Sequence, residues 1–230
     1  MTDLEKQIFA RYGTPPPTTE KKSETMSDII ARARQNAVTA QKNIEEWNTK
    51  TITKYFYDCV NTHVIFRNRK MLLTDDFKKS SEKIISWIDG GHLETRWLLL
   101  SGNVGNGKTT AAKAAISVFQ KMGTAAVIKN AYDISLLYKD IEKKQRAADE
   151  YTSLSNAVLL FIDDLGTESN PQSLSEILYN RYNNMLATIF TTNLEYSELA
   201  GKYGARIFDR FEELVELIPF KGESFRKKNI

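Results

Sequence analysis

Cysteine is almost missing from this chain: Cys59 is the only one in 230 residues. A single thiol excludes an internal disulfide and a cysteine-based zinc site. No apolar run approaches the ~18 residues of a membrane span. The N-terminus, M-T-D-L-E-K-Q, lacks the basic-then-apolar build of a secretion signal. Together these absences predict a cytoplasmic protein with no membrane partner. Neither sign of charge is in large excess, since 32 Lys and Arg face 29 Asp and Glu for a net +3. That balance permits a nucleic-acid partner without demanding one. The 41% apolar fraction is ordinary, and the length suits one domain plus a small appendage.

The most specific segment present is Gly102-Asn103-Val104-Gly105-Asn106-Gly107-Lys108-Thr109, continuing into Thr110. It follows the apolar run 97–100 and opens a stretch of helix formers, so the pattern G-x-x-x-x-G-K-[ST] stands between a strand and a helix. Glycines let successive N–H groups converge on one phosphate cluster. The following helix adds the positive end of its dipole. Lys108 is expected to reach the β- and γ-phosphates of ATP, and the Thr109 hydroxyl to ligate Mg²⁺. A plain Gly-rich turn is the bland alternative, and the strand-loop-helix setting argues against it.

A second signal lies at 156–166. Asn156 to Ile162 is nearly all apolar and ends in Asp163-Asp164-Leu165-Gly166. Such a run suits a strand buried on both faces of a parallel sheet. Carboxylates just past its end face the crevice where open α/β sheets bind ligands. This is a Walker B pattern. Asp163 is expected to hold the Mg²⁺ shell, and Asp164 to orient or deprotonate the attacking water.

The rest of the chain alternates strand and helix patterns. A helix is expected over 4–12, a Pro-rich break at 13–19, and a second helix from about Thr25 to Trp47. Residues 1–60 therefore read as a helical, partly flexible partner-binding region, and 61–230 as the main domain. Arg67, Asn68, Arg69 and Lys70 form a basic cluster, either solvated or in contact with DNA phosphates. Helices are expected at 77–88, 110–121, 132–144, 170–185 and 201–215, and a polar connection at 146–155. Strands are expected at 97–100, 125–128, 156–162, 187–191 and 217–220. Pro219 cannot donate to a ladder, which puts the last strand at an edge. This alternation indicates a five-stranded parallel sheet flanked by helices.

Three further features bear on chemistry. Asn193 follows a strand one helix after the paired acids, where a polar side chain meets a γ-phosphate or a water. Arg206 and Arg210 share a helix face at i and i+4. Either they form surface ion pairs with Glu212 or Glu213, or they meet anions such as a neighbouring subunit's phosphates. Arg226, in the basic tail Lys221 to Lys228, is placed to face the phosphates of its own subunit.

The order G-x-x-x-x-G-K-T, I-D-D-L-G, T-T-N, Y-G-x-R-I-x-D-R-F and G-x-S-x-R resembles the DnaC/DnaI helicase-loader branch of AAA+ ATPases, which includes the transposition helper IstB. The resemblance runs from about residue 95 to the end. It implies an AAA+ core without the usual C-terminal helical lid. By this resemblance Gly107, Lys108 and Thr109 are Walker A positions, and Asp163 and Asp164 the Walker B pair. Asn193 is sensor I, Arg210 an arginine finger with Arg206 accompanying it, and Arg226 a remnant of sensor II. Thr167-Glu168-Ser169 resembles a DNA-facing segment, with the helix around Tyr138 and Lys139 as another contact. Asp164 stands where Glu is usual, which implies slow hydrolysis stimulated by DNA or a partner.

The resemblance thus implies self-association through ATP interfaces, binding of single-stranded DNA, and loading of a replicative ring helicase gripped by the N-terminal region. An IstB-like helper acting on double-stranded target DNA is the alternative. A small-molecule kinase and an ATP-locked structural module are further rivals; the chain shows no lid insertion of the kind a kinase needs.

Overall fold

A computed structural model describes residues 47–67 and 73–225. The helix expected over 4–12, the one expected from 25 as far as residue 46, the cluster residues Asn68, Arg69 and Lys70, and Arg226 lie outside the described residues.

Five strands form one sheet: β1 (Trp97–Gly102), β2 (Ala126–Asn130), β3 (Leu159–Leu165), β4 (Ala187–Thr192) and β5 (Val215–Phe220). Their order is β2-β3-β4-β1-β5, and every neighbouring pair is parallel. Parallel strands need crossovers, and helices supply them. The helices are α1 (Thr49–Ile65), α2 (Asp75–Ile88), α3 (Lys108–Lys121), α4 (Ala131–Asp140), α5 (Gln145–Asn156), α6 (Gln172–Asn183), α7 (Tyr196–Tyr203) and α8 (Ala205–Leu214).

The sheet separates two cores. Leu98 and Leu100 of β1 pack with α1, α2 and α3, whereas Trp97 and Leu99 pack with residues of α4 to α8. Successive strand side chains point to opposite faces, so a strand covered on both sides reads as an unbroken apolar run. Full burial of such a Leu contributes roughly 1.5–3 kcal/mol. On α3, Ala111, Ala112, Ala114 and Ala115 are all buried, and their small side chains let the helix lie close to the sheet. The two deepest tryptophans keep their N–H groups satisfied: Trp87 donates to Thr95 O at 2.7 Å and Trp97 to Leu186 O at 3.2 Å.

Local chemistry sets the helix starts. Asn48 Oδ1 accepts from Thr51 N at 3.1 Å to cap α1, and Thr74 Oγ1 accepts from Phe77 N at 3.2 Å to cap α2. Asn170 Oδ1 accepts from Gln172 N at 3.0 Å ahead of α6. Pro219 lies on β5, an edge strand paired only with β1, as expected.

Two elements differ from expectation. The segment 146–155, expected as a polar connection, is the body of α5; Ala147, Tyr151 and Leu154 are buried on one face. The single helix expected over 201–215 is two, α7 and α8, parted at Gly204 with φ of 78°. Helix α1 spans Thr49–Ile65. Ile52, Phe56 and Val60 are buried against this core, so α1 packs with the sheet domain. Among the described residues no helix is long and apolar enough to cross a membrane.

Candidate functional site

The strand order brings three chain segments together. β3, β4 and β1 are consecutive neighbours, and their C-terminal ends carry Asp163-Asp164, Asn193 and the glycine loop.

The loop leaves β1 at Gly102, with φ of 137°, and enters α3 at Lys108. A Cβ at Gly102 would stand 2.3 Å from Phe220 O, a main-chain atom that cannot swing aside. At Gly107, φ is 100° and a Cβ would meet the Phe77 ring at 2.9 Å. Only glycine fits either place. Asn106 ties the loop to β5, donating from Nδ2 to Phe220 O at 2.6 Å.

Lys108 is buried. Its ammonium donates to Gly102 O at 2.6 Å, Asn103 O at 2.7 Å, Asn106 Oδ1 at 3.2 Å and Asn193 Oδ1 at 2.9 Å. A cation is thus held inside the loop and joined to the residue after β4. The neighbouring Thr109 hydroxyl donates to Asp163 Oδ1 at 2.9 Å. Because the proton of Thr109 is directed at the carboxylate, its oxygen lone pairs stay available. A hydroxyl and a carboxylate oxygen at this separation are the hard donors that Mg²⁺ prefers, so Thr109 and Asp163 fit the ion.

The paired acids sit in a β-bulge. Ile162 pairs with Phe190 and Leu165 with Thr192, so Asp163 and Asp164 together oppose Thr191. Asp164 has φ of 54°, which an aspartate tolerates better than most residues. Two threonine hydroxyls bond to residues of the bulge. Thr191 Oγ1 accepts from Asp164 N at 2.9 Å and donates to Asp163 Oδ1 at 2.6 Å. Thr192 Oγ1 donates to Leu165 O at 2.8 Å. Both threonines belong to the T-T-N motif, in which the sequence gives a role only to Asn193.

Beyond the bulge, Glu168 turns inward and is only 3% exposed. It accepts from Gly166 N at 2.9 Å and lies 3.1 Å from Lys202 Nζ. Burial raises the nearby Tyr203 hydroxyl, and the Glu168 charge raises it further. Of Thr167-Glu168-Ser169, the segment that resembles a DNA-facing one, Thr167 and Ser169 are exposed and Glu168 is buried. Tyr138, near the other expected contact, donates its hydroxyl to Glu176 Oε1 at 3.1 Å.

Arg206 and Arg210 lie on α8, which packs in the layer opposite α3. Instead of pairing with Glu212 or Glu213, both guanidinium groups stack over Tyr179 of α6, at 5.1 and 4.9 Å. Arg210 also covers Tyr182 at 4.8 Å and donates to Arg206 O at 2.5 Å. Next to Arg226, which is outside the described residues, Phe225 N donates to Gly105 O at 2.9 Å and the Phe225 ring meets Phe77 edge-on at 6.1 Å.

The family described as IstB-like ATP binding protein matches residues 75–230. No curated protein shows significant sequence similarity to the chain. Among solved structures, the DnaC helicase loader is similar at TM-score 0.60 and 23% identity, over 72% of this chain and 98% of that one. The replication initiator DnaA bound to AMPPCP and single-stranded DNA is similar at TM-score 0.57 and 20% identity, over 66% of this chain and 49% of that one. DnaI is similar at 0.55 and 23%, over 68% and 87%. At these identities the likeness to solved structures is one of fold.

Proposed function

This chain belongs to the family of IstB-like ATP-binding proteins, in the DnaC/DnaI/IstB-type branch of AAA+ proteins, and from that premise we propose that it hydrolyses ATP to load a ring helicase onto single-stranded DNA. The observation that carries the ATPase part is the convergence of Lys108, Thr109, Asp163 and Asn193 at three adjoining strand ends.

In this reading Gly102 to Thr110 wrap the triphosphate with main-chain N–H groups. Lys108 leaves its loop carbonyls for the β- and γ-phosphate oxygens, a change from neutral to charged acceptors that strengthens each bond. Thr109 and Asp163 hold Mg²⁺, which when bound neutralises developing phosphate charge. Asn193, released by Lys108, orients the attacking water or the γ-phosphate. Asp164 accepts the water's proton. Arg210 of one subunit reaches the phosphates of the next, with Arg206 beside it, and Arg226 approaches from the same subunit. The loader part draws on the branch and on the fold shared with the DnaC helicase loader and DNA-bound DnaA. The region 1–60 is assigned the helicase contact.

The test is direct. Anisotropy of labelled single-stranded DNA should rise with ATP and less with ADP, and a ring helicase should co-purify with the full chain. Absence of both in saturating ATP removes the loader reading. Lys108→Ala should weaken ATP binding by about 10- to 100-fold, as loss of a charged hydrogen bond of about 1.5–3 kcal/mol requires. The IstB-like alternative is favoured by the family match itself. Tighter binding to double- than to single-stranded DNA would select it.

A further inference from the structure

Among the buried polar side chains of the described site to which the proposed reaction assigns nothing, one is bonded to both acids. Thr191, near the end of β4, is fully buried. Valine has nearly the same shape, so packing alone does not require a hydroxyl there. A buried hydroxyl is tolerated only when it is hydrogen-bonded, and this one is bonded to both acids. Its proton goes to Asp163 Oδ1 at 2.6 Å, and its lone pair takes the Asp164 main-chain N–H at 2.9 Å.

We propose that Thr191 is a positioning residue of the hydrolytic centre, its single hydroxyl fixing the carboxylate of Asp163 and the main chain of Asp164 together. The proposal rests on the ATPase reading above. It follows from the bulge. A regular strand would send consecutive side chains to opposite faces. Here two residues oppose one, and the alternation is broken at Asp163 and Asp164. At the bulge the Asp164 N–H donates to the Thr191 hydroxyl, and this bond accompanies φ of 54° at Asp164. Because Thr191 donates and accepts in fixed directions, its hydroxyl cannot rotate without losing one partner. Thr109 donates to the same oxygen of Asp163. Two hydroxyls on Oδ1, one from the glycine-loop helix and one from β4, fix that carboxylate from both sides and leave Oδ2 with neither bond. Groups that orient a metal-holding carboxylate typically alter metal affinity or activity by about 10- to 100-fold when removed.

The test compares the full chain with Thr191→Val, which keeps the shape and loses the hydroxyl, and Thr191→Ser, which keeps the hydroxyl. Binding of a fluorescent ATP analogue and turnover are both titrated with Mg²⁺. For T191V the Mg²⁺ midpoint for binding should rise about 10- to 100-fold and kcat should fall by a similar factor, while KM for ATP at saturating Mg²⁺ stays near that of the parent. T191S should recover most of both losses. A parental midpoint and kcat in T191V overturn the proposal, as does equal impairment of T191S and T191V, because then the hydroxyl is not the cause. If T191V fails to fold, Thr191→Ala serves as the hydroxyl-free chain with the same two outcomes. If the parent chain binds ATP but does not turn it over, the ATPase reading falls, and the Mg²⁺ midpoint for binding still decides the role of Thr191.

Discussion

Arg181 has the most buried charge among the described residues and takes no part in the proposed chemistry. It is fully buried on α6 and faces no carboxylate in its hydrogen bonds. Nε donates to Thr188 Oγ1 at 2.9 Å, Nη1 to Leu154 O at 3.0 Å and Ala157 O at 2.8 Å, and Nη2 to Ala187 O at 2.6 Å. Burial lowers its guanidinium to about 10, still well above neutrality, so it remains charged at pH 7. A planar fork reaches these acceptors at once, which an ammonium cannot do. Arg181→Leu should therefore lower stability by about 3 kcal/mol or more, through several buried carbonyls left unpaired. Arg181→Lys should restore little of it. Urea unfolding of the two variants checks both statements. Nothing in the sequence marked Arg181, because its partners are main-chain atoms of α5, of the turn after it and of β4, together with the Thr188 hydroxyl. By contrast Lys108 and Thr109 were legible, because the glycine loop and its helix form one contiguous segment whose spacing dictates its geometry.

At the scale of elements, α5 is the instructive case. The segment 146–155 contains Arg146, Asp149, Glu150, Thr152, Ser153 and Ser155, and its polarity hides three apolar positions, Ala147, Tyr151 and Leu154, at i, i+4 and i+7. That is a helix face. Tyr151 adds a bond from its hydroxyl to Ser173 O at 2.7 Å. Leu154→Ala should cost about 2–4 kcal/mol by leaving a cavity in the core, measured by thermal or denaturant unfolding; a value near zero would mean that α5 is not docked. The division between α7 and α8 was hidden for a different reason. Gly204 is an acceptable residue within a long amphipathic pattern, and only its positive φ shows that the chain turns there. The sheet was easier to read. Apolar runs with acids or glycines at their C-terminal ends mark strands buried on both faces, and the runs at 97–100 and 156–162 overlap β1 and β3.

For the whole molecule, the question is how one chain's arginines relate to another chain's phosphates. Arg206 and Arg210 stack over Tyr179, which is 39% exposed, so this face presents cations and aromatic surface together. Arg210→Ala should leave ATP affinity of the isolated chain largely unchanged. It should abolish ATP-driven self-association and lower kcat by about 1,000-fold or more, the range for an arginine supplied in trans. Sedimentation velocity with and without ATP, beside a turnover assay, reads both. If Arg210→Ala associates and turns over like the parent, the two arginines serve only to pack α8 on α6.

The amino-acid order alone determined the phosphate-binding loop, the acid pair, Asn193 and the parallel sheet with Pro219 at its edge, because each depends on spacing within a short stretch of chain. What sits beside what was decided by tertiary structure. The strand order sets β3, β4 and β1 side by side, the one-residue slip between β3 and β4 aims the acids, and Thr191 meets them from a strand 28 residues away. Such contacts form only when distant segments pack, since the hydroxyls and carbonyls that satisfy a buried bulge or a buried guanidinium are chosen by proximity in space.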